Sequence, residues 1–394
     1  MRRTVFLTAL CACLAAPAQA PAASWVVKGA GFGHGVGMSQ YGAYGYAQHG
    51  FGHREILAHY YTGTEIGKAG KSRIRVLLQS GRRSVSFSGV DSAGTKRLNA
   101  ATTYVARPRG AKVVLKTRRG RRAGTFSGVL RLKGPRGFVR LGGTALNGVS
   151  GGSYRGAIEL RAGGGRVTAV NLAGLDAYLQ GVVPGEMPAS WAAEALQAQA
   201  VAARTYALGT DAGGAVFDQY PDTRSQVYKG MSAEQPSTNA AVRATSGEVV
   251  TYQGALATTY YFSTSGGQTE NVENVFYGSP PIPYLRSVKD PYDGGSPRHR
   301  WRLRFTGAQM RARLGSLCRG SFRAIKVRKR GVSPRVVLAD VVCSRATVRT
   351  SGTTLRARLG LYDTWFTVKR ASAPASKQGV GAKLFRAAVR AVSH

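Results

Sequence analysis

From Arg73 onward, apolar and polar positions alternate with a period of two in short runs at 74–78, 84–87, 112–115, 129–132 and 157–160, with glycine-rich stretches between them. Alternation of this length predicts short strands with one buried face, and the glycines predict turns. Ahead of this region, the apolar spacing of Arg54-Glu55-Ile56-Leu57-Ala58-His59-Tyr60-Tyr61 suits one short helix, stopped by Thr62-Gly63-Thr64. Near Leu175 the pattern turns helical through Asp176-Ala177-Tyr178-Leu179. After Pro188, an alanine-rich stretch from about Trp191 to Leu208 predicts the longest helix. Strands resume at 247–252, 257–262, 325–327 and 336–338. The sum is an α+β fold, with many short, mainly antiparallel strands packed with a few helices.

The ends of the chain read differently. Arg2 and Arg3 precede an apolar stretch from Val5 to about Ala16, and Ala18-Gln19-Ala20 has the small-x-small pattern of a cleavage site, so residues 1–20 are expected to be an export signal. Acylation at Cys13 is the alternative reading of the same segment. Nothing after residue 20 offers the ~18 consecutive apolar residues of a spanning helix. Residues 371–394 read as a basic tail, with Lys383 to Arg390 suited to a short amphipathic helix. Four cysteines occur. Removal of a signal would leave Cys318 and Cys343, which are either paired or two buried thiols.

Charge divides the chain further. Over 394 residues, 56 Lys+Arg face 18 Asp+Glu for a net charge of +38, an excess no fold needs for its own stability and one that points to a polyanionic environment. Residues 66–140 hold 20 Lys/Arg and one acid, Asp91, whereas residues 151–295 hold nine Lys/Arg and thirteen Asp/Glu. Carboxylate chemistry is therefore expected in the middle third, and contacts with anionic cell-wall polymers on the basic flanks. An exported chain with no RNP-type motif or paired zinc ligands is not expected to bind nucleic acid. The expected divisions are 24–66, a basic strand-rich segment at 73–150 and a core at 151–370, in a monomer.

Four blocks carry a resemblance. They are Tyr178-Leu179-Gln180-Gly181-Val182-Val183-Pro184-Gly185-Glu186-Met187-Pro188; Glu194 to Tyr206, reading EALQAQAVAARTY; Tyr261 to Glu270, reading YFSTSGGQTE; and Gly33-His34-Gly35-Val36-Gly37-Met38-Ser39-Gln40-Tyr41-Gly42-Ala43. Together they resemble the SpoIID/LytB family. The resemblance implies a SpoIID-like core and a peptidoglycan glycan-strand substrate, with either lytic transglycosylase activity or, alternatively, a non-catalytic wall-binding role that stimulates an N-acetylmuramoyl-L-alanine amidase. The His34 block usually ends the family domain and here comes first, so the order resembles a circular permutation. The segment Phe217 to Tyr228 matches one that follows a Cys/His zinc cluster in sporulation members. It contains neither Cys nor His, so no metal and no other cofactor is expected.

Cleaving a glycosidic bond needs an acid whose pKa burial has raised toward neutrality. Glu186, between Pro184 and Pro188 and among Val182, Val183, Met187 and Trp191, is the expected catalytic residue. A hydrolase needs a second carboxylate, for which Asp176, Asp218, Asp222 and Glu270 are available; a transglycosylase can work with one. His34, flanked by glycines, either hydrogen-bonds substrate with Gln40 as a second donor or satisfies a backbone carbonyl. Ser263, Ser265, Gly266 and Gly267 follow a strand end, where hydroxyls and free amides suit acetamido or hydroxyl groups. Arg204 is expected either at substrate or paired with a core acid, and Gln226 and Tyr228 either line the groove or are structural. Trp191 is the one tryptophan expected to stack on a sugar.

Overall fold

The computed structural model describes residues 24–371 apart from Lys71 and Tyr277; the expected export signal and the expected tail helix lie outside the described residues. The architecture is mixed α/β, with many antiparallel strands and seven α-helices among the described residues. No helix among them is long and apolar enough to cross a membrane.

The alternating region folds as the sequence pattern predicts, into one ten-stranded antiparallel sheet. Its main path runs Arg122–Ser127, Lys112–Thr117, Tyr104–Arg109, Val85–Ser88, Leu130–Leu141, Ser153–Gly163, Arg166–Gly174 and Arg73–Arg82. The sheet crosses residue 150 without interruption, because Leu130–Leu141 and Ser153–Gly163 are neighbours that pair from Leu130↔Leu160 to Arg140↔Ser153. Its inward residues, including Val76, Phe87, Leu115, Leu132 and Ile158, form the first hydrophobic core with Tyr178, Leu179, Val182 and Tyr228.

Helix α1 spans Gln40–Gln48 and α2 spans His53–Tyr60. Ser39 caps α1, its Oγ accepting the Gly42 amide. Helix α3, Leu175–Glu186, is followed by extended Met187 (φ −126°, ψ 144°), the conformation favoured in a residue that precedes proline, here Pro188. Glu186 is therefore the last residue of a helix rather than part of a loop between two prolines, and Pro184 is accommodated inside α3. Helix α4, Ala193–Gly209, is buried on nearly every side, since its alanines let α1, α2, α3 and α5 (Pro236–Ala244) approach closely. A second core gathers Val36, Met38, Ile56, Leu57, Tyr60 and Tyr61 against Leu196, Val201 and Leu285. The expected strand at 257–262 is reduced to Tyr261–Phe262.

Helices α6 (Gly307–Leu314) and α7 (Gly352–Leu359) belong to a third core, with the sheet Phe322–Arg330, Val336–Cys343 and Thr347–Ser351. Cys318 and Cys343 are disulfide-bonded with Cα atoms 5.5 Å apart, which resolves the two sequence alternatives in favour of the bridge. The N-terminal strand Ser24–Ala30 lies in this part of the molecule, antiparallel to Arg300–Thr306 on one side and Phe366–Arg370 on the other.

Two predictions follow from the packing. Closing a 25-residue separation stabilises by about 3 kcal/mol, so replacing both Cys318 and Cys343 by serine should lower the unfolding free energy by that order in denaturant titration. Asp290 is buried, accepts from Tyr60 Oη at 2.9 Å, and is pushed up to about 6 by desolvation and then by the nearby Asp293. A carboxyl raised in the folded state binds its proton more tightly there than in the unfolded chain. Its cost is absent below about pH 4 and fully developed above about pH 6. Asp290→Asn should therefore raise the unfolding free energy by about 3 kcal/mol at pH 8 and leave it unchanged near pH 4.

Candidate active site

Glu186 ends α3 with its side chain half-buried. Its Oε1 accepts the Val227 amide at 3.1 Å, and its backbone carbonyl accepts Gln40 Nε2 at 3.1 Å. Burial raises its pKa, opposed by the Val227 hydrogen bond. Gln40 Nε2 also reaches Gln199 Oε1 at 3.3 Å, so this buried amide ties the start of α1 to the end of α3 and to α4.

A pocket of about 370 Å³ opens over Glu186, within the size range of small-ligand sites. Glu186 and Val227 line it together with Thr223 and Ser225 from the loop after α4, Tyr206 from α4, Tyr260 and Tyr261, and His34 with Phe276. His34 comes from the far end of the sequence because Met38–Ser39 pairs in parallel with Tyr261–Phe262, and Phe32 bridges to Thr264. Two glycines make that approach feasible. Gly37 (φ +75°) lies against the Tyr260 carbonyl and Gly35 (φ +88°) against the Arg335 guanidinium, so a Cβ at either position would collide, and both need left-handed backbone.

His34 Nε2 donates to the Tyr261 carbonyl at 3.1 Å and Nδ1 accepts the Val36 amide at 3.1 Å, a tautomer assigned from these partners. Both nitrogens are thus engaged by backbone, and the ring offers the pocket a wall rather than a hydrogen bond. Desolvation pushes its pKa down to about 4, so the ring is neutral at neutral pH. The same burial raises the hydroxyl pKa values of Tyr206, Tyr260 and Tyr261, keeping them protonated.

Of the residues singled out in the sequence, the structure brings Glu186 and His34 together in the pocket, and the others are not among its lining residues. Arg204, expected at substrate or in the core, is fully buried; it bonds Asp176 at 3.0 Å and the carbonyls of Val242 and Glu248. Gln226 is buried between Tyr178 Oη and Tyr261 Oη, each at 2.9 Å, and Tyr228 is buried with its hydroxyl on Asn171 Oδ1. Ser265 and Gly266 face Asp293, and Gly267 donates to Ser265 Oγ. Ser263 is half-buried, with its carbonyl on the Tyr41 amide. Gln40 supports Glu186 from beneath. None of these residues is among those lining the pocket, and for Arg204, Gln226 and Tyr228 the contacts are those of the structural alternative. Trp191 stacks on Tyr44, with centroids 4.6 Å apart, and does not line the pocket.

The four other middle-third carboxylates considered as partners for Glu186 are engaged elsewhere. Asp176 is paired with Arg204, Asp218 with Arg75, and Asp222 with Arg224, while Glu270 accepts from the Val332 and Ser333 amides and from Ser333 Oγ. Glu186 is the one carboxylate among the residues lining the pocket. Sequence reasoning passed over Tyr206, Thr223, Ser225, Tyr260, Tyr261 and Phe276 as pocket walls. The first five lie in or beside the quoted blocks, which was the available signal; Phe276 carried none.

Residues 163–252, which hold Glu186 and four of the other residues lining the pocket, match the family model SpoIID, described as stage II sporulation protein. The chain is 36% identical over 213 residues to stage II sporulation protein D of Bacillus subtilis (strain 168), covering 50% of this chain and 60% of that protein. It is 46% identical over 133 residues to the amidase enhancer of the same organism, covering 34% of this chain and 17% of that protein. A protein of Brachyspira hyodysenteriae is 38% identical over 154 residues, 38% of this chain and 40% of that protein. The chain thus spans 60% or less of the length of these relatives. A SpoIID match over the segment that holds Glu186, together with similarity to proteins of both the sporulation and enhancer kinds, supports a SpoIID/LytB family assignment.

Proposed function

We propose that this protein is an exported, peptidoglycan-cleaving lytic transglycosylase in which Glu186 acts as acid and then as base. The family assignment supports a cell-wall-related function. The observation that carries the finer reading is a single carboxyl of raised pKa in an aromatic-walled pocket, with its four candidate partners engaged in other contacts. In the first step the Glu186 carboxyl gives its proton to the glycosidic oxygen as the bond to the muramyl C1 breaks, releasing the leaving sugar as an alcohol. In the second, the muramyl 6-hydroxyl attacks C1, and the Glu186 carboxylate takes the hydroxyl proton as the 1,6-anhydro ring closes. Atoms and charge balance without water, and the acid is regenerated.

The pocket residues suit this sequence. The Val227 amide holds one carboxyl oxygen in place, leaving the other for the proton, and protonated Tyr206 and Tyr260 with Thr223 and Ser225 supply hydroxyls for sugar groups. Neutral His34 leaves the pocket without a cation that would lower the Glu186 pKa. We read the leading Gly33–Gln40 block as a circular permutation of the family order; its support is that the block packs beside Tyr261–Phe262 and α4 despite lying over 150 residues upstream of them.

Incubating denuded and peptide-bearing glycan strands with the protein should yield anhydro-muramyl ends by mass spectrometry. Glu186→Gln should reduce their formation by at least ~10²-fold while strand binding persists. Reducing ends would indicate a hydrolase, and binding without cleavage would indicate an amidase-stimulating module; either outcome overturns the reading. Since the protonated acid is the working form, the rate should be full below the Glu186 pKa and fall as pH rises through it, at a pH above the ordinary carboxyl range.

A further inference from the structure

Away from the pocket, the sheet formed by Ser24–Ala30, Arg300–Thr306 and Phe366–Arg370 has two unlike faces. Trp25, Val27, Trp301, Phe305 and Phe366 point inward and are buried in the third core, so the sheet is fixed from below. The outer face presents Lys28, Arg302, Arg304 and Lys369, all exposed, around Val26 and Thr367, with Arg370 at its end. The register sets these cations in rows: Lys28 lies opposite Arg302 and Thr367, and Val26 opposite Arg304 and Lys369. Among the described residues, none of the five cations takes part in an ion pair, and together they line a shallow depression of about 470 Å³.

We infer that this outer sheet face is a binding site for a phosphodiester-linked polyol of the cell-wall type, separate from the Glu186 pocket. Exposed charges on flexible side chains usually form no more than a solvated surface. Three features distinguish this face: the cations are carried by paired strands, none of them takes part in an ion pair among the described residues, and Arg302 and Arg304 repeat at every second residue of one strand. Two residues of extended backbone span six covalent bonds. A three-carbon polyol phosphodiester also repeats its phosphate every six bonds, so one row of cations can follow successive phosphates. The sugar–phosphate backbone of a nucleic acid has the same repeat, but single-stranded nucleic acid is held chiefly by bases stacked on aromatic rings. The residues lining this face include no aromatic ring, and Val26 and Thr367 between the cations suit a plain carbon backbone.

The test uses the full chain, poly(glycerol phosphate) as the probe, and an oligothymidylate of matched phosphate number as competitor. The variant Lys28→Gln/Arg302→Gln/Arg304→Gln/Lys369→Gln should bind the polymer about tenfold or more weakly, with a smaller dependence on salt. An equal charge removal on the basic edge of the large sheet, Lys96→Gln/Arg97→Gln/Arg119→Gln/Arg122→Gln, should change binding by less than about threefold. Equal losses in the two variants would show that only bulk charge matters, and stronger binding of the oligothymidylate would mean a nucleic-acid surface; either overturns the assignment. The half-variants Lys28→Gln/Lys369→Gln and Arg302→Gln/Arg304→Gln, each expected to give part of the loss, keep the test decisive if the fourfold change unfolds the sheet. Glycan cleavage by the Glu186 pocket should be unchanged on strands stripped of anionic polymer, so failure here is distinguishable from failure of the catalytic proposal.

Discussion

Strand Ser24–Ala30 hydrogen-bonds along one side to Arg300–Thr306 and along the other to Phe366–Arg370, so the segment that follows it starts from a fixed point on the far side of the chain. From there Phe32 bridges to Thr264, Gly33 donates to the Tyr362 carbonyl, and Met38–Ser39 joins Tyr261–Phe262. Gln40 can then reach the carbonyl of Glu186. The junction is held by Arg335, a fully buried cation bonded to both Asp363 oxygens and to the carbonyls of Ser265 and Gln268. A buried guanidinium is stable only when its donors are satisfied, and here a carboxylate and two carbonyls do so while Gly35 packs against its flank.

Desolvation does two opposite things in the pocket. It raises the carboxyl of Glu186, because the charged form of an acid loses hydration, and it lowers the imidazole of His34 for the same reason applied to a base. Both groups are thereby biased toward neutrality side by side. Asp222, by contrast, is half-buried beside Arg224, whose hydrogen bonds hold its carboxyl below the usual range. Glu186 is set apart from the other carboxylates of the middle third by its surroundings rather than by its residue type.

The division of charge follows the division of cores. Some acids of the middle third meet buried or half-buried arginines, as in Asp176–Arg204 and Glu234–Arg155. On the outer face of the sheet Ser24–Ala30, Arg300–Thr306 and Phe366–Arg370, the cations Lys28, Arg302, Arg304 and Lys369 face outward and take part in no ion pair among the described residues. Period-two alternation thus gives each outer sheet face its cations automatically, once the opposite face is committed to a core.

The sequence by itself determined the strands of the large sheet, helices α2, α3 and α4, and the desolvated setting of Glu186. Alternation at 74–78, 112–115 and 157–160 could be satisfied only by strands buried on one face, alanine content identified α4, and the apolar neighbours of Glu186 marked the carboxyl that would be desolvated. These are local signals, carried by residues within a few positions of one another. What the tertiary structure decided depended on distant partners: that Cys318 meets Cys343, that Arg204, Gln226 and Tyr228 turn inward behind the pocket, that both nitrogens of His34 are taken by backbone, and that Phe276 and Tyr206 form walls. A polar side chain in a sequence has the same hydrogen-bonding capacity whether it faces a ligand or a carbonyl two hundred residues away, and only the packing of the chain chooses between them.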